Sequence, residues 1–382
     1  MFVSEKEAGA EALPYVIVTF ADGRKISLHL TLEGGSSAEA QAEKIRQAAQ
    51  GDQSIGSVEL VWRPTAAAES NSAPESGMNI IGKGLDEEER GKVNGSLERF
   101  RNEGLEQIPG ELEKSPEFLL VIKKIEEYLN EELASMGLPS IEVDPRRIHL
   151  LGEKDMEEQL QAADLNGQYN PLKDRVVVKE AGSRLQKYKS TLHESVHRAA
   201  YRMFSANKEI KKIDTVRGGY LAANPSDEAD HEHFRGLDEA VVDRIVSEIL
   251  DGHKQELIDT LHITDEERQQ PVRYYREYMG ILSGIINKIA AQKDESADVV
   301  WKRFKKGEFT GEMMHLRDVE EAYGKGSLRI LGALGSVTKN SLKEGDAADL
   351  ILQYFETDDA TRRDNIARRV LTEREYLRYR GR

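Results

Sequence analysis

Residues 190–204 read STLHESVHRAAYRMF, and this stretch decides how the chain is understood. Leu192, Val196, Ala199, Ala200 and Met203 recur at spacings of three and four, which predicts a buried helix through the whole segment. Within it stands His193-Glu194-Ser195-Val196-His197, an HExxH pattern. On a helix the two histidines lie one turn apart on one face, where both imidazoles reach a single tetrahedral metal ion. Glu194 is rotated by about 100° from His193, so it can hold a water beside the ion without taking a ligand position. The residue types therefore point to a zinc ion (Zn2+) held by His193 and His197, with Glu194 as catalytic general base.

Such a site needs a third protein ligand and a position left open for water. Downstream, residues 236–243 (GLDEAVVD) open a second helix in which Leu237, Val241, Ile245 and Ile249 recur every fourth residue. Glu239 and Asp243 are again one turn apart on a shared face. The pairing of HExxH with a later helix bearing Glu-x-x-x-Asp resembles the gluzincin branch of the zincin metallopeptidases. That resemblance implies Glu239 as the third zinc ligand, and Asp243 as the group that orients a ligand histidine by accepting its other ring N–H. It also implies an edge strand ahead of the motif helix that can pair with an extended peptide, and residues 175–180 (RVVVKE) supply a candidate.

This sequence departs from the family pattern in two places. Asp238 stands before Glu239, where thermolysin-like sequences often carry Asn, and the excursion between the two helices, residues 205–235, is long and expected to be a loop. His231 and His233 within it are alternative third ligands. The metzincin branch, with HExxHxxGxxH, is excluded because Ala200 and Met203 occupy its glycine and third-histidine positions. Peptide hydrolysis also calls for a hydrogen-bond donor to the developing oxyanion. Arg273, Tyr274, Tyr275, Arg276 and Tyr278 on a helix expected over 270–291 are candidates, with Tyr201, Tyr220 and His315 behind them, and the sequence does not choose among these.

Moving toward the N-terminus, residues 15–20 (YVIVTF) and 25–32 alternate as two strands around the turn Ala21-Asp22-Gly23-Arg24, a helix is expected over 37–49, and residues 57–62 (SVELVW) read as a third strand. Residues 1–63 thus form a small ββαβ, β-grasp-like domain. Residues 64–78, PTAAAESNSAPESGM, have the composition of a flexible linker. The catalytic domain is expected over 79–355 and an Arg-rich helix or tail over 356–382. Within the catalytic domain, helices are expected over 85–102 and from Ser115-Pro116-Glu117 to Gly137, where capping and exit chemistry are both present. The fold class is α+β, a mainly helical zincin-like domain with a small sheet, plus the N-terminal module.

The 382 residues carry 54 Lys+Arg against 69 Asp+Glu, a net charge of −15 that argues against nucleic acid as a partner. The arginines of residues 361–382 alternate with Asp and Glu at helical spacing, as on a solvated helix. The absence of cysteine rules out disulfides, thiol nucleophiles and Cys-ligated metals, so any metal site uses His, Asp and Glu. Neither a signal-peptide pattern nor a membrane-spanning apolar run is present, so the expected compartment is the cytoplasm. The expected partner is a peptide or protein substrate, and the N-terminal module is a candidate surface for a protein partner. The rival expectation is a catalytically silent zincin-fold binding or regulatory protein. Glu194 speaks against it, because a purely structural zinc site has no use for a general base.

Overall fold

A computed structural model describes residues 12–20, 25–29, 42–44, 46–47, 55–64, 78–81, 86–160, 165–180, 183–207, 212–223, 232–264, 266–267, 275–336 and 344–381. The chain divides into two compact units, Met1–Glu75 and Ser76–Arg382. In the first, strands β1 (Ala12–Phe20), β2 (Lys25–His29) and β3 (Ile55–Pro64) form an antiparallel sheet in the order β2-β1-β3. Residues 42–44 and 46–47 are helical. The linker expected over 64–78 lies outside the described residues except at its two ends.

The second unit is mostly helical, with two small sheets. After β4 (Met78–Ile81) come α1 (Glu87–Glu103) and α2 (Pro116–Ser135), whose Ser115 cap accepts a hydrogen bond from the Phe118 amide at 3.1 Å. A cap of this kind stabilises a helix by about 1 kcal/mol. Strand β5 (Ile148–Leu151), helix α3 (Glu153–Leu160), β6 (Gly167–Asn170) and β7 (Arg175–Lys179) follow, and the three strands form one sheet in the order β5-β7-β6. Strand β7 is therefore the central strand and not the edge expected from sequence. Val176, Val177 and Val178 are all buried, as the middle of a covered sheet requires. The edge on the helix side of the sheet is β6, antiparallel to β7.

The motif helix, α4, spans Arg184–Ala199 and stops sooner than the apolar spacing predicts. Residues Arg202–Asn207 form strand β8, in which Arg202, Phe204 and Ala206 are buried and their neighbours are less so. That period of two, superimposed on a misleading spacing of three and four, takes Met203 out of the helical stripe. The described residues of the expected loop over 205–235 are mostly strand. Strands β9 (Lys212–Gly218), β10 (Leu221–Ala223) and β11 (Glu232–His233) continue from β8 in the order β11-β10-β9-β8-β4. Successive antiparallel pairing carries the chain out and back, so that it returns to the motif helix.

Helix α5 (Arg235–Gly252) then packs against α4, and Leu237, Val241, Ile245 and Ile249 are buried as their four-residue recurrence predicts. The remaining helices are α6 (Lys254–Leu261), α7 (Arg276–Lys293), α8 (Ala297–Thr310), α9 (Arg317–Tyr323), α10 (Ser327–Gly332), α11 (Glu344–Glu356), α12 (Ala360–Val370) and α13 (Glu373–Tyr379). One apolar core joins α2, α4, α5, α7 and α8, and Ile366, Ala367 and Val370 of α12 are buried in it. The Arg-rich segment is thus anchored to the main unit, with Arg363 paired to Asp358 and Arg380 to Asp364. Among the described residues no helix is long and apolar enough to cross a membrane.

Candidate metal centre

Helix α4 is buried on every side over residues 188–196, so the motif histidines are set by packing and not left to swing in solvent. Nε2 of His193 lies 3.1 Å from Nε2 of His197 and 3.1 Å from Oε2 of Glu239, and His197 Nε2 is 3.6 Å from the same Glu239 oxygen. The three residues come from two helices and bring one ligand atom each to a common point. Four tetrahedral ligands at about 2.0–2.1 Å from a zinc ion stand about 3.3 Å apart from one another. The observed triangle has that size.

The hydrogen bonds behind the triangle fix which ring nitrogens face it. His193 Nδ1 donates to Asp243 Oδ1 at 2.8 Å, and Asp243 also accepts from Lys189 Nζ at 2.6 Å and from the Tyr275 amide at 2.7 Å. His197 Nδ1 faces Asp238 Oδ2 at 3.4 Å. Asp238 is itself held by the amides of Tyr220 and Leu221, at 2.6 and 3.1 Å, in the turn between β9 and β10. A carboxylate only accepts, so each Nδ1 carries a proton, and a ring that is neutral turns the lone pair of its Nε2 toward the Glu239 carboxylate. Three acceptors at such distances repel one another unless a cation or extra protons lie between them. The ionisation directions agree. Burial opposes charge on both rings, but hydrogen bonds to Asp243 and Glu239 raise His193 and those to Asp238 and Glu239 raise His197 well above an ordinary imidazole. Burial likewise works against Glu239, yet the two histidines hold it well below the usual carboxylate range. The donor set fits a divalent, borderline-soft ion such as zinc.

Glu194 is 8 % exposed, and among the described residues no protein group hydrogen-bonds its carboxylate. Burial pushes it above the ordinary carboxylate value, against the pull of His193 and His197. It opens into a cavity of about 490 Å³ shared with His193, His197 and Glu239. Gly167 of β6 borders the same carboxylate, and a Cβ there would come within 2.8 Å of Glu194 Cγ. A glycine at this point of the edge strand lets the general base and the strand approach each other.

Of the oxyanion-donor candidates, Tyr275 lines this cavity, its ring 6.4 Å from that of His193. The negative charge of Glu239 and burial both raise its phenol, so it keeps its proton for donation. Tyr220 is committed elsewhere, to His315 Nε2 at 2.6 Å and to the Phe304 carbonyl at 2.8 Å. Tyr278 is buried in the core, Arg276 is exposed on α7, and Arg273 and Tyr274 lie outside the described residues. So does His231, while His233 sits on β11 and joins neither of the metal-capable groups found among the described residues.

Sequence reasoning missed three participants. Asp238, read there only as a departure from Asn, backs His197 as Asp243 backs His193. Glu308 of α8 is fully buried, both its oxygens lack a hydrogen-bond partner, and with His197 and Asp238 it forms the second metal-capable group. Burial and the neighbouring Asp238 charge push its carboxyl well above the ordinary range. Gly219, with φ of +54°, is the third. A Cβ there would run into both Glu308 and Asp238, so the turn that presents its amides to Asp238 tolerates no side chain. No protein family, no curated protein and no solved structure matches the chain.

Proposed function

We propose that the protein is a zinc metallopeptidase of gluzincin type, with a zincin-like catalytic domain, and that His193, His197 and Glu239 hold the ion. The observation that carries this reading is the 3.1–3.6 Å triangle of three ligand atoms, each histidine backed by its own aspartate, beside a glutamate whose carboxylate no described residue hydrogen-bonds. A bound zinc ion supplies Lewis-acid polarisation of the scissile carbonyl and lowers the pKa of a water at the same place. Glu194 takes the proton of the attacking water and returns it to the leaving amine. Tyr275 donates its O–H to the oxyanion as the carbonyl becomes tetrahedral. The outer strand β6, which lines the cavity through Gly167, Gln168 and Tyr169, offers backbone groups to an extended substrate. The N-terminal three-stranded module is assigned to substrate selection, and the protein to the cytoplasm.

The test is digestion of a proteome-derived peptide library by the zinc-loaded protein, with new termini read by mass spectrometry. New termini that disappear on chelation and return with zinc support the function. No new termini from protein carrying one equivalent of zinc would leave the silent, binding version of the fold. Two variants probe the parts. Asp243→Asn removes the charge that holds His193, and zinc affinity measured by chelator competition is expected to fall about 10–100-fold. Tyr275→Phe is expected to lower kcat by about 100-fold with little change in KM, the signature of a contact made in the transition state.

A further inference from the structure

One cation in the wall of the active cavity has no ion-pair partner among the described residues. Arg217 of β9 lies with its guanidinium 5.0 Å from the centre of the Tyr201 ring, and its Nε and Nη2 are buried without any hydrogen-bond partner. The other arginines of that wall are committed. Arg202 pairs with Asp174 at 2.9 Å, and Arg235, on the rim, stands 3.7 Å from Glu232. Among the described residues no carboxylate forms an ion pair with Arg217. Burial pulls its basicity below that of a free guanidinium, against a partial compensation by Tyr201, Tyr220 and the more distant carboxyls of Glu308 and Asp238.

The position is rigid. Residue 217 is paired on both sides, with Met203 of β8 and with Ala222 of β10, and the Tyr201 ring supports the guanidinium plane. A guanidinium held in this way suits a carboxylate, and with Nε and Nη2 closed to solvent it is Nη1 that is left to face the cavity. Among the described residues the carboxylates that line the cavity are Glu194, Glu239 and Asp238, gathered around the metal centre, and Glu232, beside Arg235, which leaves Arg217 for an anion brought by the substrate.

We propose that Arg217 is a specificity-determining residue that binds a carboxylate of the peptide substrate, so that the cavity selects substrates with a negative group at a fixed distance from the scissile bond. The inference rests on the peptidase reading above and adds the substrate class to it. Two sources share this chemistry, an Asp or Glu side chain and a free C-terminus.

The experiment uses the full zinc-loaded chain on two peptide libraries made from the same proteome digest, one untouched and one with every carboxyl group converted to its methylamide. The wild-type protein is expected to cleave the untouched library about tenfold or more better, in keeping with the loss of a charge-assisted pair. Arg217→Gln is expected to bring the untouched library down to the level of the blocked one while cleaving the blocked library as the wild type does. That retained activity shows that the variant is folded, and Arg217→Lys should restore part of the preference. Asp or Glu enrichment at one position identifies a side-chain carboxylate, and cleavage at a constant distance from the peptide end identifies the C-terminus. Equal cleavage of both libraries by the wild type overturns the inference and leaves the peptidase reading intact. An equal loss on both libraries in Arg217→Gln overturns it too, and moves Arg217 to the scissile carbonyl. No cleavage of either library by the zinc-loaded wild type removes the peptidase reading and this inference with it.

Discussion

Replacing Glu194 by glutamine is expected to lower kcat by about 10²–10⁴-fold while zinc content stays at the wild-type level. The amide keeps the length and shape of the side chain but cannot accept the water's proton at any working pH. Glu194 lies outside the triangle of ligand atoms, and among the described residues no hydrogen bond to its carboxylate is lost by the change. The structural cost is therefore small, and the effect belongs to the chemical step. Steady-state hydrolysis of a peptide taken from the library digest, beside elemental analysis of the same preparation, separates the two quantities. Full activity in Glu194→Gln would remove this residue from the mechanism. Loss of zinc would show that it acts as a ligand instead of a base.

The second large effect lies in the framework. Asp174, 2 % exposed in the turn between β6 and β7, faces Arg202 at 2.9 Å, Arg198 at 3.2 Å, Arg147 at 3.5 Å and Arg101 at 4.0 Å, and accepts from the Tyr169 hydroxyl at 3.0 Å. These partners come from α1, the entry to β5, the end of α4 and the start of β8. One carboxylate thus ties the motif helix to both sheets, one residue beyond His197. Asp174→Ala strands several guanidinium groups in the interior, and the expected loss of stability is about 3–5 kcal/mol, read from urea unfolding at neutral pH. Asp174→Asn keeps one acceptor oxygen but turns an NH2 donor toward the arginines and removes the charge, so a large part of the loss should remain. Burial alone would raise the Asp174 carboxyl, but the four arginines hold it well below the usual range. A carboxyl depressed in the folded state contributes its full stabilisation above the unfolded-state pKa of about 3.9 and loses it as pH falls through the folded value. Wild-type stability should therefore decline below about pH 4, and the Asp174→Ala protein should lack that part of the decline.

What the sequence made legible follows from the range of each interaction. His193, Glu194 and His197 are local, one turn of one helix, and their spacing is visible without a fold. Glu239 and Asp243 repeat the same one-turn logic on a second helix, and a family resemblance was needed to join the two. Asp238, Glu308 and Asp174 act mainly through partners far away in the chain, so no window of sequence marks them. The end of the motif helix was misread because Met203 and Phe204 continue an apolar spacing that suits a helix, while the burial of Arg202, Phe204 and Ala206 follows the period of a strand. The edge strand was misplaced for a related reason. Its four residues, Gly167 to Asn170, lack the β-branched side chains that announce a strand, whereas Val176–Val178 announce one loudly and prove to be the covered centre of the sheet.

Zinc content tests the central claim most directly. Elemental mass spectrometry of the dialysed protein is expected to give one equivalent of zinc per chain, and the Glu239→Ala variant, which opens one edge of the ligand triangle, much less at the same free-zinc concentration. One equivalent in both proteins would move the third ligand elsewhere, and no zinc in the wild type after reconstitution would contradict the account altogether.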